Sequence, residues 1–174
     1  DLQTNQVLCE PARRNTAPCI AYAMARIKAM AQGKANIVVA ASDHLILQED
    51  KFRSTITACF DFIEKNDALV TLGMKPTRPE TGYGYIEADL SSPSTSNKEI
   101  FRVDSFKEKP DVETAKRYIR QNNYFWNAGI FVWNVNTIID TMNRQLPEMS
   151  ARLDAIFKEE PNRDKRRAAL YECY

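Results

Sequence analysis

Apolar positions along the chain alternate between helical spacing and short unbroken runs. In residues 18–33 they recur at helical spacing, which predicts a helix. The run 36–41 is short and apolar, which is typical of a strand covered on both faces in a parallel sheet. A second helical stripe over 52–63 and a second apolar strand over 68–74 follow. Strand, helix and strand in this order predict a βαβ unit.

The next part of the chain has a different pattern. Residues 82–89 alternate between apolar and polar, which predicts a strand, and residues 100–107 predict its partner. The intervening residues 90–99 are rich in serine and contain a proline, so they predict a loop. We therefore expect 82–108 to form an inserted antiparallel ribbon.

Three further elements complete the pattern. Asp111 is suited to cap a helix, and residues 125–133 predict a third apolar strand. The tail 136–174 is helical and packs either on its own sheet, which we favour, or on a neighbouring subunit of a homodimer. Alternating helices and buried strands predict one α/β domain over 1–174, with a Rossmann-like, doubly wound mixed sheet. The predicted buried face of the Asp111 helix consists of Val112, Ala115, Tyr118 and Ile119.

Composition excludes several classes of function. Lysine and arginine number 24 against 23 acidic residues, a formal charge of +1 that favours neither nucleic acid nor an anionic membrane as partner. No apolar run approaches the roughly 20 residues that a bilayer span needs. No two of the four cysteines form a CxxC pair; they lie at Cys9, Cys19, Cys59 and Cys173. A zinc site or disulfide framework is therefore not expected, and a reducing compartment, the cytoplasm, is favoured.

The segment 10–18 combines anion-binding features at the start of the first helix. Arg14, Asn15 and Thr16 lie where free backbone N–H groups and the helix dipole favour an anion, and guanidinium groups bind phosphate. Glu10 offers a carboxylate for the N1–H and exocyclic amine of guanine. The alternative is a capped helix start with surface arginines.

Ser42, Asp43 and His44 directly follow the buried strand 36–41. Ligands bind beyond the carboxyl ends of strands in open α/β sheets, and an aspartate there suits Mg²⁺ together with substrate phosphates. The alternative is a turn in which Ser and Asp satisfy their own backbone. The only histidine of the chain is more often structural than a general base.

Three later segments carry polar or glycine residues at strand ends. Around Gly84 two glycines flank a tyrosine, which suits close approach of a ligand to the backbone. Glu108 and Lys109 offer an acceptor for sugar hydroxyls and a cation for phosphate, unless they are simply solvated. Asn127, near Gly129, is an amide inside an apolar strand, and its partners are either backbone groups or sugar hydroxyls.

The succession EPxxRNTAP, SDH after a strand, PxTGYGYI, FxEKP and WNAGIF resembles that of mannose-1-phosphate guanylyltransferases, over residues 10–157. The resemblance implies the nucleotide-diphospho-sugar transferase type of fold. It implies transfer of GMP from GTP to mannose 1-phosphate, with Mg²⁺ as cofactor. The roles implied are Glu10, Arg14, Asn15, Thr16 and Ser42 on the nucleotide, Asp43 on the metal, Lys109 on the sugar phosphate, and Gly84, Tyr85, Glu108, Asn127 and Gly129 on the sugar.

Two departures from the family pattern bear on activity. Nothing before Glu10 supplies the family's glycine-rich loop and its strand, so the sheet is expected to be incomplete at its N-terminal strand. The family's second metal-binding aspartate would lie beyond Tyr174. We therefore expect the 174-residue chain alone to be inactive. The alternative functions are a uridylyl- or thymidylyltransferase for a sugar 1-phosphate, a non-catalytic sugar-nucleotide-binding module and, more distantly, a pure interaction domain.

Overall fold

The computed structural model describes residues 3, 6–12, 14–32, 34–159 and 168–170. By contacts between residues, the chain divides into two compact units, one of residues 1–37 with 133–174 and one of residues 38–132. The prediction of a single domain stays a prediction. The elements are α1 (Thr16–Ala31), β1 (Asn36–Val39), α2 (Glu49–Ile63), β2 (Val70–Met74), β3 (Tyr85–Pro93), β4 (Phe101–Lys107), α3 (Val112–Gln121), β5 (Tyr124–Asn134), α4 (Val135–Gln145) and α5 (Pro147–Glu159).

One five-stranded sheet is organised around β5. The strands follow the order β1-β5-β3-β4, and β2 also pairs with β5. The pairings β2–β5, β3–β4 and β3–β5 are antiparallel. Trp126 has Met74 of β2 as one partner and Tyr85 of β3 as another, so these two strands lie on opposite edges of β5. The mixed α/β fold predicted from the sequence is confirmed.

The structure corrects the predicted neighbours of β1 and β2. The sequence pattern predicts that β1 and β2 are neighbours in a βαβ unit. In the structure β1 and β2 each pair with β5 instead. The apolar run of β5 is therefore the centre of the sheet. Hydrophobic pattern alone does not fix this, because a run buried on both faces is compatible with either strand direction.

An aromatic cluster forms the core beneath β3, α3 and β5. Tyr118 stacks on Tyr124 with ring centroids 4.0 Å apart and also meets Tyr85 at 5.3 Å. Ala115 and Trp126 complete this cluster. The Asp111 carboxylate accepts a 2.8 Å hydrogen bond from the Thr114 N–H, which confirms the predicted cap of α3. The core thus holds the start of β3 against β5.

Helices α1, α4 and α5 pack on one another within the unit of residues 1–37 and 133–174. Ile20 and Met24 of α1, Ile138 of α4 and Leu153 of α5 are buried. The helical tail therefore packs on α1 of its own chain. Most of residues 160–174 lie outside the described residues.

Two local predictions are wrong. Residues 90–93 were expected in a loop, but β3 continues to Pro93, which pairs with Phe101 after an irregularity in register. A proline is tolerated at the end of a strand, where its missing N–H is not needed. Val112 was expected on the buried face of α3, but it is exposed because it is the first residue of that helix.

Among the helices described, none has the length and apolar character that crossing a bilayer requires.

Candidate functional site

Gly84, Glu108 and Asn127, here called the Gly84 cluster, come together just before β3, just after β4 and within β5. The Asn127 N–H donates a 2.8 Å hydrogen bond to the Gly84 carbonyl, which extends the β3–β5 pairing. A Cβ added at residue 84 would lie 3.1 Å from Glu108 Oε2 and 3.8 Å from Asn127 Cβ. A side chain at this position would crowd the carboxylate, so glycine keeps the space in front of Glu108 open.

The Asn127 side chain is fixed through its oxygen. Oδ1 accepts hydrogen bonds from the Gly129 N–H at 3.0 Å and from Thr71 Oγ1 at 3.3 Å. A backbone N–H can only donate, so the amide oxygen is the atom that faces it. The amide NH₂ group makes no hydrogen bond within the described part of the chain, which leaves its two N–H donors available.

Gly129 produces the geometry that holds Asn127. Its φ of +66° is a left-handed conformation that residues with a side chain rarely adopt. Thr71 of β2 pairs with Phe131 of β5, and Gly73 pairs with Asn127. Two steps along β2 thus correspond to four steps along β5, so β5 forms a bulge between these pairs. Bulges redirect side chains beside functional sites. The resemblance implies a sugar contact for Gly129, which stays a prediction, and in the structure the Gly129 N–H donates to Asn127.

Glu108 and Lys109 are exposed where β4 ends. Their side chains retain 76% and 66% of their accessible surface, and Nζ of Lys109 lies 3.9 Å from the Glu108 carboxylate. That distance is at the limit of an ion pair, so both groups remain accessible to a ligand. Lys109 has a φ of +40°, an uncommon conformation for a residue with a side chain.

Tyr85 directly follows Gly84 but faces the other way. Its side chain is fully buried in the aromatic core cluster, and its hydroxyl donates a 2.9 Å hydrogen bond to the Glu80 carbonyl. In this conformation its ring has no exposed surface to offer a ligand. The hydroxyl instead ties the preceding turn to the core.

The turn 78–84 contains a contact network that the sequence analysis did not single out. The Glu80 carboxylate accepts hydrogen bonds from the N–H groups of Thr81 at 3.1 Å and Gly82 at 3.0 Å. It also pairs with Arg78 at 3.0 Å. The Gly82 N–H and then Arg78 hold the pKa of Glu80 below its usual range. The motif Glu-Thr-Gly was the available signal, because a carboxylate before a Gly-containing turn can accept turn N–H groups.

Ser42 and Asp43 are exposed in a turn beyond the end of β1. None of the described hydrogen bonds or ion pairs joins them to the Gly84 cluster. The described residues contain no group of three or more His, Cys, Asp or Glu side chains that could hold a metal ion. Asp43 therefore offers a single accessible carboxylate.

The start of α1 has an exposed, uncapped end. Asn15 precedes the helix with φ 76° and ψ −170°, and its side chain makes no capping hydrogen bond. Such a backbone conformation is strained for a residue other than glycine. Arg14 and Thr16 are exposed beside it. The Asn15 side chain thus satisfies none of the N–H groups of the first helical turn.

Glu10 lies near α1 but already contacts a neighbour. Burial, and then a hydrogen bond to Glu10, raises the pKa of the Cys19 thiol. The carboxylate predicted to read guanine is therefore next to a thiol and is partly buried. Arg13, which the same motif contains, lies outside the described residues.

The described part of the chain thus arranges the predicted residues unequally. It brings Gly84, Glu108 and Asn127 together, with Lys109 beside them. The Gly129 N–H holds the Asn127 oxygen of this cluster, and the Tyr85 ring is buried in the aromatic core. The remaining predicted residues lie in the segment before α1, at the start of α1 and in the turn after β1.

Comparison with curated proteins finds relatives that match most of this chain. A mannose-1-phosphate guanylyltransferase of Escherichia coli K12 is 36% identical over 156 residues, covering 89% of this chain and 32% of that protein. The Xanthan biosynthesis protein XanB of Xanthomonas campestris strain ATCC 33913 is 36% identical over 150 residues, covering 86% of this chain and 30% of that protein. The chain therefore spans only about a third of the length of these relatives.

Two solved structures also match most of this chain. A protein of Thermus thermophilus described as a mannose-1-phosphate geranyltransferase has a TM-score of 0.79 and 28% identity, covering 95% of this chain and 45% of that chain. A mannose-6-phosphate isomerase from Helicobacter pylori has a TM-score of 0.70 and 26% identity, covering 86% of this chain and 53% of that chain.

The family described as Nucleotidyl transferase matches residues 2–168. This match takes in every motif on which the sequence resemblance rests. It also includes the Gly84 cluster, the turn after β1 and the start of α1. The chain therefore belongs to the nucleotidyl transferase family.

Proposed function

We propose that this chain belongs to an enzyme that transfers GMP from GTP to mannose 1-phosphate, giving GDP-mannose and pyrophosphate. The observation that carries the proposal is the Gly84 cluster, which places an exposed carboxylate and free amide donors around an open glycine. Such a set suits the vicinal hydroxyls of a sugar, which both donate and accept hydrogen bonds. The relatives named as mannose-1-phosphate guanylyltransferases support mannose and guanine as the specific choices.

On the sugar side, each group has a distinct task. Glu108 accepts from sugar hydroxyls, and the Asn127 NH₂ donates to another. Gly84 lets the sugar approach the backbone, and Lys109 neutralises the sugar phosphate. Because Thr71 and Gly129 fix the Asn127 amide oxygen, its donors are oriented before the substrate arrives.

On the nucleotide side, Glu10, Arg14, Asn15, Thr16 and Ser42 are the groups that the resemblance assigns to GTP. The N–H groups of the first turn of α1, which the Asn15 side chain does not cap, suit phosphate oxygens. Asp43 fits Mg²⁺ by chemistry, since this ion commonly takes one or two carboxylates and completes its shell with phosphate and water. Bound there, Mg²⁺ would neutralise charge on the phosphates.

The reaction is a direct transfer. A phosphate oxygen of mannose 1-phosphate, already anionic, attacks the α-phosphorus of GTP as the bond to pyrophosphate breaks, so no general base is required. Catalysis then consists of alignment and charge neutralisation. Alignment of two reactants contributes roughly 7–11 kcal/mol to lowering such barriers, and loss of one charged group costs about 3–4 kcal/mol.

The test is formation of GDP-mannose by the natural protein that carries this chain. Equal concentrations of GTP, UTP, dTTP and ATP compete for mannose 1-phosphate, and the sugar nucleotides are separated by chromatography. We expect GDP-mannose to dominate. Preferential use of UTP or dTTP would favour the uridylyl- or thymidylyltransferase alternative, and tight binding without turnover would favour a non-catalytic binding module.

Two variants test the assigned charges. Asp43→Ala and Lys109→Ala are each expected to lower kcat/KM by about 100-fold or more, with unchanged thermal unfolding. Asp61→Ala and Lys98→Ala, which remove exposed charges elsewhere in the same unit, serve as matched controls. Near-normal turnover in either test variant would remove that residue from the proposal.

A further inference from the structure

The Glu80 carboxylate accepts hydrogen bonds from residues on both sides of it in the turn 78–84. Glu80 Oε1 accepts from the N–H groups of Thr81 and Gly82, and Oε2 accepts from Nε of Arg78 at 3.2 Å and Nη2 at 3.0 Å. The Glu80 backbone joins the same network, because its N–H donates to the Arg78 carbonyl and its carbonyl accepts from Tyr85. The turn is thus fixed at its start, middle and end.

The same turn is anchored on Trp126. The Arg78 guanidinium carbon lies 5.5 Å from the centroid of that ring. The Tyr83 ring meets Trp126 edge-on, with centroids 5.4 Å apart and an interplanar angle of 86°. Both geometries are attractive ring contacts. Trp126 is also the neighbour of Asn127 in β5, so the turn and the Asn127 amide share one support.

We propose that Glu80 is a positioning residue for the sugar phosphate, an inference that rests on the proposed function. Glu80 touches no reacting atom. It holds the turn that ends at Gly84, whose carbonyl accepts the Asn127 N–H and whose missing side chain leaves the space in front of the Glu108 carboxylate open. Glu80 therefore sets the spacing of the groups that receive the sugar.

A purely structural role explains this network less well. The turn itself is largely exposed, with Tyr83 retaining 46% of its surface, so ordering it buries little apolar area. Ordering backbone that remains in solvent loses conformational entropy without a matching gain from burial. That loss is useful when the ordered backbone meets a ligand, because preorganisation raises affinity.

The consequence is confined to one substrate. If the turn is disordered in the free protein, binding of the sugar phosphate must order it. The conformational entropy lost in that step weakens the binding of the sugar phosphate. Chemistry at the GTP phosphorus does not use the turn. We therefore expect KM for mannose 1-phosphate to change while kcat and KM for GTP stay nearly constant.

The test compares steady-state kinetics of the natural protein with those of Glu80→Ala and Glu80→Gln. In Glu80→Ala all the side-chain contacts are lost, and we expect KM for mannose 1-phosphate to rise about tenfold. In Glu80→Gln the amide oxygen still accepts from Gly82 and Thr81 but the charged pair with Arg78 is gone, so we expect a rise of about threefold. The ordering of the two variants is itself part of the prediction.

Glu113→Ala and Glu113→Gln are the matched controls. Glu113 is an exposed glutamate of α3 that pairs with Lys116 at 2.8 Å. Its replacement therefore removes one negative charge and one ion pair, as replacement of Glu80 does. These variants are expected to keep the wild-type KM values. Thermal unfolding, measured for all variants, separates loss of positioning from loss of folded protein, and Glu80→Gln remains informative if Glu80→Ala does not fold.

Failure of this inference differs from failure of the proposed function. If the natural protein makes no GDP-mannose, the function and the inference both fall. If it does, and KM for mannose 1-phosphate is unchanged in both Glu80 variants, only the positioning role is wrong. A parallel change in kcat and in KM for GTP would likewise overturn it.

Discussion

At the scale of single residues, the two ends of the Asn127 side chain have different surroundings. Its oxygen accepts from Gly129 and Thr71, and its NH₂ group is without a described partner. An amide was expected inside an apolar strand only if it found partners, and the structure supplies them for one end. The other end is the part that we propose for the sugar.

Asn127→Asp separates these two ends. Aspartate keeps an oxygen for the Gly129 N–H but has no NH₂ donor, so we expect mannose 1-phosphate to bind about 2–10 times more weakly, measured by isothermal titration calorimetry. Asn97→Asp is the control, because Asn97 Oδ1 also accepts a backbone N–H, from Glu99, in an exposed loop. Equal affinity of the Asn127 and Asn97 variants would contradict a sugar contact by the amide.

Gly129 makes a second residue-scale prediction. A side chain at φ +66° is strained, so Gly129→Ala is expected to lower the free energy of unfolding by about 1–2 kcal/mol. Urea denaturation monitored by tryptophan fluorescence measures this change. Gly82→Ala, at a glycine without positive φ, should destabilise the protein less. The reverse order would show that the left-handed conformation is not required.

At the scale of elements, Glu87 joins three strands. It lies in β3, opposite Ser105 of β4 and Tyr124 of β5, and Ser105 donates a 2.8 Å hydrogen bond to it. The hydrogen bond from Ser105, and then that from Tyr124, lowers the pKa of Glu87. Burial, and then the bond to Glu87, raises the pKa of Tyr124 to about 12. The ribbon β3–β4 is thereby tied to β5 through one carboxylate.

This arrangement predicts how stability depends on pH. The lowered pKa of Glu87 stabilises the fold above the ordinary value of 4.5, and this contribution is lost as pH falls below it. The raised pKa of Tyr124 contributes fully below pH 10.0, and this is lost as pH rises towards about 12. In Tyr124→Phe the free energy of unfolding should fall less between pH 10.0 and about 12 than in the wild type. Urea denaturation at each pH measures this difference. Tyr22→Phe is the control, and an equally steep alkaline loss in Tyr124→Phe and wild type would contradict the assignment.

Most elements were predictable from sequence because they depend on local periodicity. The stripes of α1 and α2, the cap at Asp111 and the apolar run of β5 all follow local rules. The neighbours of each strand were not predictable from sequence, because the pairing of β2 with β5 joins residues that are distant in sequence. The role of Glu80 also escaped the pattern, since a carboxylate that holds a turn looks in sequence like any surface charge.

At the scale of the whole molecule, the family was predictable from the order of the motifs. No single segment decides it, because each has an ordinary structural explanation when taken alone. What sequence could not supply is which predicted residues are supports. Tyr85 directly follows Gly84, and Gly129 lies two residues after Asn127. Strand alternation buries the Tyr85 ring in the core, and the left-handed backbone at Gly129 directs its N–H toward Asn127.

The central claim is that the Gly84 cluster receives the mannosyl group. Its most direct test is a crystal structure of the natural protein with GDP-mannose and Mg²⁺. The account predicts sugar hydroxyls within hydrogen-bond distance of the Glu108 carboxylate and of Asn127 Nδ2, with the sugar against the Gly84 backbone. A mannosyl group bound elsewhere, with these three residues still in solvent, would contradict it.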